Sequence, residues 1–329
     1  MDERPGKRPT LQDVARLAGV SHQTVSRAIN DKGEIDPQTR RRVLDAARQL
    51  RYRPSRFARG LVRPDSTTIG LVVADVVNPF FPELIAGVLD AAAQRRWQVV
   101  VGSYQRHPGR EPELLRSLAG QVDALIGFLA EPDDVITAAI GQTPLVVVDR
   151  HTPHSALGRV DIDARGGILA AVRHLHARGH RHIGMLDCPA GGDPTRKAAF
   201  LAGAAENGLT VAADAIVDVD GSMAGGEAGL TTLHETNPDL TAVFAWNDVV
   251  ALGAHKAARR LGRAIPRDLA LVGFDGLDLG ELIEPPLTTV YLDKRRMGEL
   301  AVIQAEQLLE GTDPDAALVA TELLIRSST

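Results

Sequence analysis

The sequence is short of everything that would cross-link or anchor it. It holds one cysteine, Cys188, in 329 residues. No disulfide can form within the chain, a usage that fits a reducing compartment. No apolar run approaches the roughly 18 residues of a membrane span, and the opening stretch MDERPGKRPT is polar throughout, unlike a signal peptide. A soluble, cytoplasmic protein without a membrane partner is expected. Aromatic residues are scarce at 4%, although hydrophobic residues at 44% suffice for a sizeable core.

Catalytic and cofactor patterns are missing too. No Gly-x-Gly-x-x-Gly run joins a strand to a helix and no Walker pattern occurs, so no nucleotide cofactor is expected. No serine sits between glycines at nucleophile-elbow spacing, and no pair of carboxylates stands out, so an enzyme is not expected. His174, His176, His180 and His182 form the only metal-like cluster. The first two, two residues apart on a helix, point to different faces. Gly179 then breaks the helix, so no metal is expected either.

What is present begins with charge. The length suits about two domains. Residues 1–63 carry 15 Lys and Arg against 7 Asp and Glu, a net charge of +8, whereas the remainder carries 22 against 35, or −13. A basic module on an acidic body is the electrostatic pattern of a nucleic-acid binder whose body stays off the polyanion.

The stretch TLQDVARLAGVSHQTVSRAIN, residues 10–30, explains the basic module. Leu11, Val14, Ala15, Leu17 and Ala18 give one helix an apolar face at spacings of three and four. Gly19 supplies a turn, since it reaches positive φ at no steric cost. Ser21 is placed to cap a second helix, on which Val25 and Ile29 point back at the first. The outer face of that second helix is His22, Gln23, Ser26, Arg27 and Asn30, side chains that hydrogen-bond base edges or phosphates. A third helix is expected over Pro37–Leu50, with Val43, Leu44, Ala47 and Leu50 buried. Tyr52-Arg53-Pro54 ends it, and the basic, weakly helical SRFARGLVRPDS follows.

From Thr68 the pattern changes to alternating strands and helices. TIGLVVADV is a continuous apolar strand of the kind buried in parallel sheets. A helix over Pro82–Trp97, the strand WQVVVGSY, the helix LLRSLAGQ and the strands DALIGFLA and PLVVVDR come next. A second start at RHIGMLDCP opens a similar series: AAFLAGAAENG, AIVDVD, a helix to His234, AVFAWND, a helix to Leu261, and LALVGFDG. Two αβ lobes of one kind are expected, with a ligand cleft between them at strand carboxyl ends.

With LQDVARLAGVSHQTVSRAIN, RYRPSRFARGLV, IGLVVADVVNPFF, GHRHIG, AVFAWNDVVALGA, LALVGFDG and PPLTTV in order, the sequence resembles the LacI/GalR family of bacterial transcriptional repressors over essentially its whole length. The resemblance implies an α plus α/β fold. Residues 1–54 would be a three-helix helix-turn-helix headpiece, 55–66 a hinge helix or linker, and 67–329 a two-lobed, periplasmic-binding-protein-like core for effector binding and dimerisation. It further implies a homodimer on pseudo-palindromic double-stranded operator DNA, regulated by a small effector, a carbohydrate or related polyhydroxylated metabolite. His22, Gln23 and Arg27 would read bases, while Thr10, Ser26, Asn30 and Thr39 hold phosphates and Leu11 stands in the same interface. Tyr52 and Ser55 resemble further backbone contacts. Ala58 and Leu61 match hinge positions that enter the minor groove, where a leucine wedge kinks the duplex. Gly60 and His22 depart from the usual residues.

For the cleft, Asp75, Asn78 and Phe80 follow the first strand. Asp149 and Arg150 end PLVVVDR, Asn247 and Asp275 end two second-lobe strands, and Arg196 matches a ligand-gripping arginine of the family. Phe80 and Trp246 would offer an apolar face to a sugar ring. Near Gly221, where some sugar-binding relatives place an aromatic, there is none. The dimer face is expected on Pro82–Arg95 and Asp248–Leu261, without the C-terminal leucine heptad that makes tetramers. A solute-binding protein for uptake would use the same core and an enzyme the same cleft. The basic headpiece opposes the first and the lack of a catalytic set the second.

Overall fold

Apolar residues at helical spacing make three helices between Leu11 and Gln49 a small bundle. In the computed structural model α1 (Leu11–Ala18), α2 (His22–Ile29) and α3 (Pro37–Gln49) enclose Val14, Ala15, Val25, Ala28, Val43, Ala46 and Ala47. Gly19 has φ +66°, and Val20 N–H closes the turn onto Ala15 O at 3.1 Å. Ser21 Oγ accepts from Thr24 N–H at 3.2 Å, so the expected cap is made. Leu17 is 45% exposed, not buried. The row Val14, Ala15 and Ala18 faces inward, and Leu17 sits on its flank. In α3, Ala46 joins the core while Leu44 and Leu50 are only half-buried.

The structure describes residues 11–29, 35–50, 67–105, 107–150, 157–189 and 195–329. The chain divides into two compact units, Met1–Thr67 and Thr68–Thr329. In the second unit the order is β1 (Thr68–Val73), α4 (Phe80–Gln94), β2 (Gln98–Ser103), α5 (Glu111–Ala119), β3 (Ala124–Gly127), α6 (Asp133–Ile140), β4 (Leu145–Val148), β5 (Gly158–Ile162) and α7 (Ala164–Ala177). Then come β6 (Ile183–Asp187), α8 (Thr195–Glu206), β7 (Ile216–Asp218), α9 (Met223–Thr236), β8 (Ala242–Ala245), α10 (Asp248–Arg260) and β9 (Ala270–Asp275). The series ends with β10 (Thr288–Leu292), α11 (Lys294–Glu310), β11 (Ala317–Val319) and β12 (Thr321–Leu324).

Two six-stranded sheets result, ordered β11-β5-β4-β3-β1-β2 and β12-β10-β9-β8-β6-β7. Every pairing is parallel except β10 with β12. Strands such as β1, β3 and β9 are buried throughout, as fits sheets covered by helices on both faces. The helix expected from Pro82 begins two residues earlier, because Asn78 Oδ1 and Asn78 O accept from Phe80 and Phe81 N–H.

The chain does not finish one lobe before starting the other. It crosses after β5, returns after β10 as α11 packs on α4, and crosses again between β11 and β12. The α4–α11 contact is very close. A Cβ on Gly87 would lie 2.1 Å from Arg295 O, and one on Gly298 2.4 Å from Leu84 O. No described helix is long and apolar enough to cross a membrane. Gly87→Ala should cost roughly 1–3 kcal/mol, the usual scale of overpacking. An unchanged denaturation midpoint would contradict this backbone-to-backbone contact.

Candidate functional site

In parallel α/β sheets the carboxyl ends of strands leave loops free to hold a ligand. Here both sheets turn those ends toward one cleft of about 460 Å³. The first lobe contributes Asp75, Asn78 and Phe80 after β1, Tyr104 after β2, Phe128 after β3, and Asp149 after β4. The second contributes Cys188 after β6, Arg196 at the start of α8, Asp220 and Gly221 after β7, Trp246 and Asn247 after β8, and Asp275 at the end of β9.

Arg196 is 6% exposed. Its Nη1 donates to Trp246 O at 2.7 Å. Its guanidinium carbon stands 4.4 Å from the Trp246 ring centre and 4.0 Å from that of Phe274, a cation held between two π-faces. Its Nη2 reaches Asp149 Oδ2 of the opposite lobe at 3.8 Å. One face of Trp246 is therefore already stacked, which narrows the surface expected to meet a sugar ring.

The two strand-end aspartates have left-handed backbones, φ +54° at Asp149 and +115° at Asp275. Such strain persists only where the surroundings enforce it. Burial pushes the Asp275 carboxyl up to about 8, with Arg196 opposing and Asp248 reinforcing. Lys294, itself buried, donates from Nζ to Asp275 O at 2.8 Å and reaches Glu83 Oε1 on α4 at 3.5 Å. Asp248 accepts from Thr289 Oγ1 at 2.6 Å and from Leu277 N–H at 2.7 Å, and burial raises it to about 7. These bonds brace the loop that carries Asp275.

Eight of the nine cleft residues expected from sequence line the cleft, several with part of their capacity already used. Asn247 Oδ1 caps α10 through Val250 N–H at 2.9 Å. Asp75 Oδ1 accepts from Val77 N–H at 2.9 Å. The ninth, Arg150, is not on the wall. Its guanidinium donates to Leu129 O at 3.0 Å and pairs with Asp133 at 2.8 Å. With Asp149 in a left-handed turn, the next side chain is directed to the loop after β3 instead. Glu111 fixes that loop from the other side, accepting from Ala130 N–H at 2.8 Å and Glu131 N–H at 3.2 Å, and burial raises its carboxyl.

Sequence reasoning missed Tyr104, Phe81, Phe128 and Asp220. Tyr104 and Phe128 follow strands just as Asp75 does, so the same rule would have found them. Phe80, Phe81 and Phe128 pack edge-to-face with centroids 5.3 to 5.6 Å apart. The Tyr104 hydroxyl is buried near Glu111, and both effects push it up. Of the four histidines, His174 bonds Thr329 Oγ1 at 2.8 Å and His180 bonds Thr241 Oγ1 at 3.0 Å.

In the first unit His22, Gln23 and Arg27 are exposed on α2. Thr39 gives its N–H to Asp36 Oδ2 at 2.9 Å, and its hydroxyl accepts from Arg42 at 3.4 Å. Thr10, Asn30, Tyr52, Ser55, Ala58 and Leu61, with the side chains of Leu11 and Ser26, lie outside the described residues.

Residues 10–55 match the bacterial regulatory proteins, lacI family, and residues 172–329 match a periplasmic binding protein-like domain. The HTH-type transcriptional repressor CytR of Escherichia coli (strain K12) is 32% identical over 330 residues, covering 97% of this chain and 96% of that protein. The chain belongs to the LacI family of bacterial regulatory proteins. The ribose operon repressor of Halalkalibacterium halodurans is 33% identical over 97% of each chain. Among solved structures, a complex of the transcriptional regulator CelR with cellobiose aligns at TM-score 0.72 and 30% identity, covering 98% of this chain and 100% of that one. The lac repressor dimer bound to operator and the anti-inducer ONPF aligns at 0.74 and 27%, covering 98% and 99%. This LacI-family protein is thus a DNA-binding transcriptional regulator with a two-lobed core.

Asp275 yields a pH prediction. Its folded value near 8 exceeds the ordinary 3.8, so the folded state holds the proton more tightly. The stability this confers is complete below about pH 4 and lost as pH rises toward 8. Asp275→Asn cannot titrate, so its midpoint should move up relative to the unchanged protein across that window. A constant difference from pH 4 to 8 would contradict the burial argument.

Proposed function

We propose that this LacI-family regulator is a cytoplasmic repressor, binding a pseudo-palindromic operator as a homodimer and controlled by a small polyhydroxylated effector, a sugar or a close relative, in the interlobe cleft. The observation that carries the reading is the Arg196–Asp149 pair. It spans the cleft from one lobe to the other, so a ligand that engages either partner senses the lobe separation. The hydroxyls of such a ligand donate to Asp75, Asp149 and Asp275 and accept from the Arg196 fork. Phe80 and Trp246 supply apolar surface beside these polar groups, and Asn78 and Asn247 keep their amide N–H groups as donors.

The DNA reading rests on α2. His22, Gln23 and Arg27 face outward on a unit of positive net charge, where side chains of this kind meet base edges. Ser26 and Thr39 hold phosphates in this reading, with Thr10, Leu11, Asn30, Tyr52 and Ser55 extending the interface and Ala58 and Leu61 entering the minor groove. A single headpiece makes few contacts, so two half-sites are used. Exposed apolar side chains suit a second copy: Leu89 on α4, Val100 and Val101 on the edge strand β2, and Met223, Leu279 and Leu282 in the second lobe. On α10 the exposed side chains are Lys256, Arg259 and Arg260, so the apolar part of that face lies beside α10 rather than on it. A switch from 1:99 to 99:1 requires the effector to prefer one state by ~10⁴-fold, about 5.5 kcal/mol.

Two measurements test this. Operator affinity should fall with salt at a log–log slope near −0.9 for each phosphate neutralised. Binding to operator-containing DNA no tighter than to random DNA would end the operator reading. Separately, Leu61→Ala should weaken operator binding with effector affinity nearly unchanged, and Arg196→Ala should do the reverse. Equal losses in both assays would contradict two separable sites.

A further inference from the structure

The effector class can be narrowed from the charges and donors of the cleft. Among the described residues that line it, Asp75, Asp149, Asp220 and Asp275 face a single cation, Arg196. That cation is already engaged by Trp246 O, two aromatic faces and Asp149. Burial leaves Asp275 largely protonated near neutrality, yet three carboxylates still oppose one guanidinium.

Helix N-termini are the other usual source of anion affinity, because their free N–H groups and dipole attract negative charge. Of the helices that start on this cleft, three have one leading N–H held by a side chain. Asn78 Oδ1 accepts from Phe80 N–H at 3.0 Å at the head of α4. Ser222 Oγ accepts from Gly225 N–H at 3.0 Å at the head of α9, and is itself bound to Asp220 Oδ1 at 2.5 Å. Asn247 Oδ1 accepts from Val250 N–H at 2.9 Å at the head of α10. At the head of α9 a phosphate meets the Asp220 carboxylate, an acceptor where it needs a donor. A neutral hydroxyl meets the carboxylates of Asp75, Asp149 and Asp220, which only accept, and this is the complementary arrangement.

We infer that the cleft takes an uncharged polyhydroxylated ring compound and turns away phosphate esters and acids built on the same ring. This deepens the effector reading given above and rests on it. The edge-to-face cluster of Phe80, Phe81 and Phe128 supplies an apolar wall for the ring's C–H surface, and such a wall adds nothing for a phosphate.

The test is calorimetric titration of the full-length protein with matched sets. Glucose, glucose 6-phosphate and glucuronate form one set, ribose and ribose 5-phosphate another, cellobiose, galactose and neutral nucleosides extend the uncharged arm, and inorganic phosphate serves as a bare anion. A neutral member should bind at least ~100-fold more tightly than its phosphate or acid counterpart, as expected for like charges brought close in a partly desolvated site. Inorganic phosphate should give no heat that depends on the cleft. Loss of binding in Arg196→Ala assigns the heat to the cleft. Because removing a buried guanidinium can impair folding, quenching of Trp246 fluorescence in a Trp97→Phe background provides a second assignment. Asp75→Asn should shrink the discrimination severalfold. A phosphate ester or sugar acid that binds in the cleft as tightly as the neutral ring overturns the inference and leaves the effector reading standing. No cleft binding by any member, neutral or anionic, ends the effector reading and the inference together.

Discussion

A guanidinium buried between two aromatic rings is the constraint on which the core of this regulator depends. Arg196 has given up most of its water, and a buried charge is tolerated only when it is paired and hydrogen-bonded. Trp246 O and the faces of Trp246 and Phe274 hold it from its own lobe. Asp149 answers it from the opposite lobe. One ion pair therefore links the two lobes directly across the cleft. On the proposed reading, a ligand acts by entering that pair's surroundings and changing what separation of the lobes satisfies it best.

The scaffold around the pair is stiff where it must be. Asp248 and Lys294 are buried polar groups that brace the loop bearing Asp275, and Glu111 and Arg150 brace the loop bearing Phe128. Lys294 also begins α11, the helix that carries the chain back to the first lobe and packs on α4 through facing glycines. Close backbone contact makes α4 and α11 one rigid piece. Lys294 touches both that piece, through Glu83, and the carbonyl of the cleft residue Asp275. A displacement at Asp275 thus has a direct mechanical route to the first lobe.

Local features were the legible part of the sequence. Gly19 and Ser21 specified the turn and cap of the headpiece because glycine conformation and serine capping are decided within a few residues. Buried parallel strands announced themselves as continuous apolar runs, and their carboxyl ends located Asp75, Asp149 and Asp275. What stayed hidden depends on distant partners. Leu17 lies at a helical spacing that suits either the core or its rim, and only packing against α3 decides. Arg150 follows a left-handed aspartate that redirects it to Leu129 and Asp133, a strain no pattern displays. Tyr104 and Phe128 obeyed the strand-end rule but look like core aromatics in isolation. The three crossings between lobes were invisible because α11 and β11 carry no local sign of which sheet they join.

On the proposed reading the cleft and the DNA-binding face are thermodynamically coupled, and coupling between two sites is reciprocal. The most direct measurement titrates one cleft ligand into the free protein and into the protein–operator complex, then titrates operator with and without that ligand. With coupled sites both affinities change by the same factor, in the same direction. A ligand held in the cleft that leaves operator affinity untouched, with its own affinity indifferent to DNA, would contradict it.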